Sequence, residues 1–169
     1  MIEVEGGATA RLPFTADSEN GSESMDAHRF EACIGSQETS PEIEKLLADL
    51  GASGKLRATE DGYAIVRKPE LGLMLTFLPV DSKSSWFKLA QVEFFSDIED
   101  DYKPYVGVLP GGLEWSDAPD AVRRKLGPPT EQDEDLDIDF WLRGSHQLNV
   151  SYRGSMDSIA SVILCVPVI

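Results

Sequence analysis

The sequence predicts an α+β protein: a tandem repeat of one helix plus three antiparallel strands, with the helices packed on one face of a continuous antiparallel sheet. Three observations carry that prediction. Two segments, near residues 41–50 and 118–126, space their apolar residues as one face of a helix does. Each is followed by three segments with the period-two alternation of strands. The two series run in the same order, offset by about 75 residues and by about 70 at the last strand.

The first helix pattern opens at Ser40, a good N-cap type, with Pro41 in the first helical position and Glu42 and Glu44 at the positive end of the helix dipole. Ile43, Leu46, Leu47 and Leu50 form its apolar stripe, and Gly51 stops it. The strand patterns that follow are Tyr63–Lys68 after the Asp61-Gly62 turn, Gly72–Leu78 after Pro69, and Lys88–Phe95. In the second series Ser116 or Asp117 caps a helix with Pro119 in its first turn. Ala118, Ala121, Val122 and Leu126 lie on one face, and Gly127-Pro128-Pro129 ends it. Strands are expected at Ile138–Arg143, Gln147–Arg153 and Ile159–Val166.

The two series align element by element. Leu50-Gly51 matches Leu126-Gly127, and Tyr63 and Ile65 match Ile138 and Phe140. Leu73, Leu75 and Phe77 match Leu148, Val150 and Tyr152; Ala90, Val92 and Phe94 match Ala160, Val162 and Leu164. Either unit alone is too small to bury a sheet face well, and a shared sheet solves that. The expected organisation is a disordered tail or extension at 1–24, a first unit at 25–100, a connector at 101–115 and a second unit at 116–169. Ala16–Ser24, ADSENGSES, is polar without periodicity, and Met25 is a candidate for the true start.

Charge dominates the composition: thirty acids oppose fifteen bases, a net of −15. That disfavours nucleic acid and anionic membranes as partners and favours a basic protein, although acidity also serves solubility alone. No run approaches the roughly 20 apolar residues of a membrane span. Residues 1–14 lack a basic start followed by an apolar run, so no secretory signal and a cytoplasmic location are expected. Cys33 and Cys165 sit in apolar settings and read as reduced, buried thiols.

Catalytic and metal signatures are missing from the pattern. With His28 and His146 as the two histidines, there is no HExxH motif and no Cys/His cluster. Asp133, Asp135 and Asp137 imitate the start of a calcium loop, but Ile138 stands where that loop needs Gly and Gly144 where it needs Glu. No nucleophile elbow or phosphate-binding glycine loop occurs. A non-enzymatic protein without cofactor or metal is expected.

Candidate binding residues follow from two sources. With helices on one sheet face, alternation assigns Asp139, Trp141, Arg143, Asn149, Ser151, Arg153, Ser161 and Ile163 to the other, with Gln91 and Glu93 from the first unit. That polar, Trp-bearing face is either solvated or a docking surface. Between Glu93 and Asp139 there are fourteen acids and four bases. Asp97, Glu99, Asp100, Asp101, Tyr102 and Tyr105 form one acidic-aromatic run; Trp115 follows; Asp133, Glu134, Asp135, Asp137 and Asp139 form another. Carboxylates interleaved with aromatic rings suit a surface that docks on Arg and Lys of a basic protein.

Three resemblances bear on function. Tyr102–Gly127, YKPYVGVLPGGLEW leading into the helix and Leu126-Gly127-Pro128-Pro129, resembles the helical turn of SmpA/OmlA-type outer-membrane assembly lipoproteins, whose anchoring cysteine has no counterpart near this N-terminus. The tandem arrangement resembles β-lactamase inhibitory protein, which implies binding through a concave sheet face. Over Phe30–Val166 the succession CIG, LLADLG, a strand pair, Y-x-x-Y-x-G-x-LP-x-GL and LG-x-P is similar to immunity proteins encoded beside bacterial polymorphic toxins. That resemblance implies a stoichiometric inhibitor of a cognate toxin, and the acidity points to a basic nuclease. A general interaction or scaffold domain with another partner is the alternative.

Overall fold

Proline at a helix start costs no hydrogen bond, because the first N–H groups of a helix are unpaired in any case. Two of the three α-helices among the described residues begin that way. The computed structural model describes residues 25–97 and 101–167. It contains α1 (Ala27–Cys33), α2 (Pro41–Asp49) and α3 (Pro119–Leu126). The strands are β1 (Ala64–Lys68), β2 (Leu73–Pro79), β3 (Phe87–Phe95), β4 (Glu131–Asp133), β5 (Ile138–Arg143), β6 (His146–Tyr152) and β7 (Ile159–Cys165). All seven join one sheet in the order β1-β2-β3-β7-β6-β5-β4. Each neighbouring pair is antiparallel. The expected tail at 1–24 lies outside the described residues.

The stripe of α2 is buried as its spacing requires, with Ile43, Leu46, Leu47 and Leu50 all in the core. Ser40 occupies the N-cap position but makes no side-chain cap hydrogen bond. In α3 the cap is Ala118, not Ser116 or Asp117. Asp117 instead accepts a hydrogen bond from the Glu114 N–H at 2.8 Å and one from Lys125 Nζ at 2.7 Å. It therefore closes the turn before the helix and reaches the last helical turn. Arg123, Arg124 and Lys125 lie in that last turn, where cations meet the negative end of the dipole. The helix α1 adds Ala27, Phe30 and Cys33 to the core. Its start is tied to the connector: the Ala27 N–H donates to Val108 O, and the Val108 N–H to Asp26 Oδ1.

One hydrophobic cluster unites Phe30, Ile43, Leu46 and Val122 from the helices with the inward residues of the sheet. The seam between β3 and β7 pairs Val92 with Leu164 and Phe94 with Val162. All four are buried completely. The connector crosses from one sheet face to the other around the end of β3. Tyr102 stacks on Phe95 on the outer side at 4.1 Å. Three residues later, Tyr105 meets Phe94 edge-on at 4.8 Å on the core side, and its hydroxyl donates to Met25 O. Gly72, at φ 68°, makes room for this crossing, since a Cβ there would strike the Lys103 carbonyl.

Two expectations about sheet faces are corrected. In β5 the inward residues are Asp139 and Trp141, not Ile138 and Phe140, because β5 pairs Asp139 with Val150 and Trp141 with Leu148. The matching strand β1 likewise buries Ala64 and Val66 in place of Tyr63 and Ile65. In β7 an irregularity opposite Ser151/Tyr152 pairs Tyr152 with Ile159, so Ile159 fills the core position expected of Ala160.

Phe94 stands at the centre of this packing, edge-on to Phe30 at 5.6 Å as well as to Tyr105. Phe94→Ala removes both ring contacts beside the seam. It is expected to lower stability by about 4 kcal/mol, seen as a lower urea midpoint in equilibrium unfolding.

Candidate functional site

The sheet has one face built into the core and one without a layer of helix residues upon it. Register defines the open face residue by residue. Arg67, Met74, Glu93, Ile163, Asn149, Phe140 and Glu131 stand opposite one another across all seven strands. Beside them run Ile65, Thr76, Gln91, Cys165, Gln147 and Leu142. At the usual strand spacing this row is roughly 29 Å wide. Its central members are half-buried, as side chains standing between neighbours on a sheet face are. The face is mixed, with amides and charges set among Ile65, Met74, Phe140 and Ile163.

Its character changes at the β4 end. Phe140 and Gln147 there floor a shallow depression ringed by Glu131, Asp133, Glu134 and Asp135. The hairpin shape comes from Asp133, whose Oδ1 accepts the N–H groups of Asp135 and Leu136 at 3.1 Å each, and from Asp137 at φ 53°. Among the described residues no group of three or more His, Cys, Asp or Glu is placed to hold a metal ion.

Behind the hairpin, on the core side, lies a cleft of about 350 Å³ lined by Arg123, Asp139, Tyr152 and Met156 among others. Its floor is a closed polar network. Arg123 donates to both Asp139 oxygens, Nε to Oδ2 at 2.8 Å and Nη2 to Oδ1 at 3.0 Å. Gln132 Nε2 donates to Oδ1 at 3.0 Å and the Tyr152 hydroxyl to Oδ2 at 2.9 Å. Burial by itself would raise the Asp139 pKa, but the hydrogen bonds from Arg123, Gln132 and Tyr152 outweigh it and hold the carboxyl below its usual range. Burial and the adjacent carboxylate push the Tyr152 hydroxyl up. Four donors on one carboxylate fix a strand to a helix; they leave it little capacity to act as a base.

The sequence-predicted site residues divide accordingly. Asp133, Glu134, Asp135 and Asp137 come together at the β4–β5 hairpin. Asp97 and Asp101 are exposed at the end of β3, where Asp97 Oδ1 accepts from Arg153 Nη2 at 2.7 Å. Register carries Phe95, Ser161, Ser151, Ile138 and Asp133 in one line, so both acidic runs leave the sheet at the same end. Glu99 and Asp100 lie outside the described residues. Four candidates are corrected, since Tyr102, Tyr105, Asp139 and Trp141 are buried and cannot present themselves to a partner. The polar atoms of Tyr105, Asp139 and Trp141 serve the fold instead; Trp141 Nε1, for example, donates to Gly127 O at 3.1 Å. Trp115 is half-buried and donates to Tyr105 O, and Arg143 is half-buried at the end of β5. The sequence does not single out Glu131, because β4 is too short to show a period, nor Phe140, because the alternation in β5 favours the opposite face.

No protein-family profile and no curated relative matches this chain. Among solved structures it is similar to an extracellular protein containing an SCP domain from Bacillus anthracis, at 10% identity and a TM-score of 0.49, over 98% of this chain and 50% of that one. It is also similar to a DUF4309 family protein from Bacillus subtilis, at 13% identity and a TM-score of 0.42, over 73% of this chain and 76% of that one. The chain thus spans about half the length of the Bacillus anthracis structure.

The polar network makes a prediction. A carboxyl whose pKa is lowered by folding stabilises the native state above its unfolded value, near pH 4, and that stabilisation is lost as pH falls through the native value. Asp139→Asn leaves Arg123 without its counter-ion and is expected to cost about 3 kcal/mol at pH 7. The variant should also lose less stability than the parent between pH 4 and pH 2, measured by denaturant titration across pH.

Proposed function

We propose that this chain is a stoichiometric protein-binding module that takes a basic partner on its open sheet face, oriented by the acidic β4–β5 end. The observation that carries this is the face itself, continuous across seven strands and ending in carboxylates that ring an aromatic floor. Glu131, Glu134 and Asp135 sit where a partner's Arg or Lys can reach them. In its fuller form the proposal is an immunity protein that neutralises a cognate cytosolic toxin by occupying a basic, substrate-binding surface. The net charge of −15 and the sequence resemblance support that reading. We infer as well that the scaffold arose by tandem duplication. Supporting this, each half has a helix followed by a run of three neighbouring antiparallel strands, β1–β3 and β5–β7, the second run preceded by the additional short strand β4, and the last strands of the two runs, β3 and β7, pair at the middle of the sheet.

The expected finding is a toxin-like domain encoded by the adjacent gene, and the test uses that domain. Glu131→Gln, Glu134→Gln and Asp135→Asn, combined in one variant, touch no core residue and should leave the urea midpoint unchanged. Binding should weaken at least tenfold, mostly through the on-rate, and lose much of its salt dependence. Cys165 lies mid-face and half-buried, so its alkylation should slow in the complex, while Cys33, inside the core, stays unreactive in both states. Unchanged affinity in the triple variant together with unchanged Cys165 alkylation would remove the face as the site. Failure to protect cells expressing that domain would remove the immunity reading and leave an interaction domain with another partner.

A further inference from the structure

Of the three tryptophans, Trp141 is buried and Trp115 half-buried, whereas Trp86 is 47% exposed. Trp86 ends the loop between β2 and β3, and its backbone is fixed on both sides. Its N–H donates to Ser84 Oγ at 3.0 Å, and its carbonyl accepts from the Val80 N–H at 3.0 Å. The next residue is locked as well: the Phe87 N–H donates to Glu38 Oε1 at 2.9 Å, and the Glu38 N–H to Phe87 O at 2.8 Å. The fold thus holds a half-exposed indole outward on a constrained backbone.

The ring forms one wall of a cleft of about 420 Å³ between α2 and the loop that follows it. Leu47 supplies an apolar wall, Glu38 and Glu44 supply carboxylates, and Lys55 reaches in from the loop. Lys55 Nζ stands 5.2 Å from the Trp86 ring centroid. Lys55 is in none of the ion pairs of the described residues. An ammonium group that could point into water instead lies over an aromatic face in a cleft that Glu38 and Glu44 also line. The cleft therefore already selects a cation, and the one it holds is tethered by a loop turning at Gly54, φ 122°.

We propose that the Trp86 cleft receives a lysine or arginine side chain from the protein partner, and that Lys55 occupies it as an intramolecular stand-in until that side chain arrives. The aromatic face and Leu47 take the aliphatic stem and the cationic head, and Glu38 and Glu44 take the charge. This rests on the partner being basic, as proposed above, but not on the sheet face being where it docks. The two sites share no residue, so each can fail alone.

The test uses the full chain and a capped Gly-Arg-Gly peptide, with the capped Gly-citrulline-Gly peptide as a neutral isostere at equal ionic strength. The indole N–H signals are followed by NMR, with that of Trp86 assigned from Trp86→Leu. The expected result is a saturable shift of the Trp86 signal with the arginine peptide, none with the citrulline peptide, and still signals from Trp115 and Trp141. Lys55→Met should tighten arginine-peptide binding about threefold by removing the competitor. A Trp86 signal that the arginine peptide does not move in either the parent or Lys55→Met overturns the proposal, as does an equal response to citrulline. Peptide affinity unchanged by Lys55→Met overturns the stand-in role. The Glu131/Glu134/Asp135 variant should bind the peptide at Trp86 as the parent does, which separates this site from the sheet face.

Discussion

The antiparallel pairing of β3 with β7 makes one sheet of two strand sets, and the rest of the structure depends on it. Neither set by itself has enough area to pay for ordering its chain. Joined at this seam, Val92 and Phe94 meet Leu164 and Val162, and helices from both ends of the sequence cover one continuous apolar surface. The seam also fixes the opposite face. Side chains alternate along this stretch of β3, so placing Val92 and Phe94 inward obliges Gln91 and Glu93 to point outward beside Cys165 and Ile163. The candidate interaction face is thus a geometric consequence of core formation, and its residues are free to vary as long as the inward set is kept.

Asp139 shows how far that constraint reaches. Register with β6 sends it inward opposite Val150, to a place where a lone carboxylate would be severely penalised. The chain answers with α3. Arg123, one turn after the start of that helix, lays a two-pronged guanidinium on the carboxylate, and Tyr152 and Gln132 complete the set. The short helix, whose apolar contribution is chiefly Val122 and Pro119, is thereby oriented by a polar tie more than by area. Such ties confer a definite geometry more readily than net stability. Here the geometry sets where β5 turns back from β4 and hence where the acidic hairpin projects.

Much of the fold was legible from period alone. The α2 stripe and the extents of β5, β6 and β7 appear in the structure within a residue or so of their sequence signals. What failed has physical causes. In β5, IDFWLR, one parity offers Ile, Phe and Leu and the other Asp, Trp and Arg, so alternation favours the wrong face; the deciding terms are the Leu148 pairing and the distant Arg123, neither of which is local. Ala160 lost its core place to Ile159 through a bulge, which no alternation rule anticipates. The helix α1 was missed because seven residues with Ala27, Phe30 and Cys33 as the buried set give too weak a period. Tyr102 and Tyr105 looked like surface aromatics in an acidic run, yet a connector that rounds the end of a strand must bury its larger side chains on one face or the other. Trp86 was passed over because a lone Trp in a polar loop, DSKSSW, carries no periodic signal; its setting among Ser, Lys and Asp was nevertheless the sign of exposure.

Three demands bear on the distribution of charge. Edge strands need charged residues to prevent pairing with other chains, and β4, three residues long, carries Glu131 and Asp133. The other edge, β1, carries Arg67 and Lys68. Edge protection requires charge but is indifferent to its sign. Solubility requires net charge but is indifferent to its position. Neither accounts for a sheet row that begins at Arg67 and ends at Glu131, nor for further carboxylates of the hairpin gathered about the one aromatic ring on that end of the open face. A charge gradient across a mixed surface orients an approaching charged body before contact, which raises productive encounter and fixes register on docking. Of the three demands, the proposed recognition of a basic partner is the one that would specify both the sign of the charge and its place.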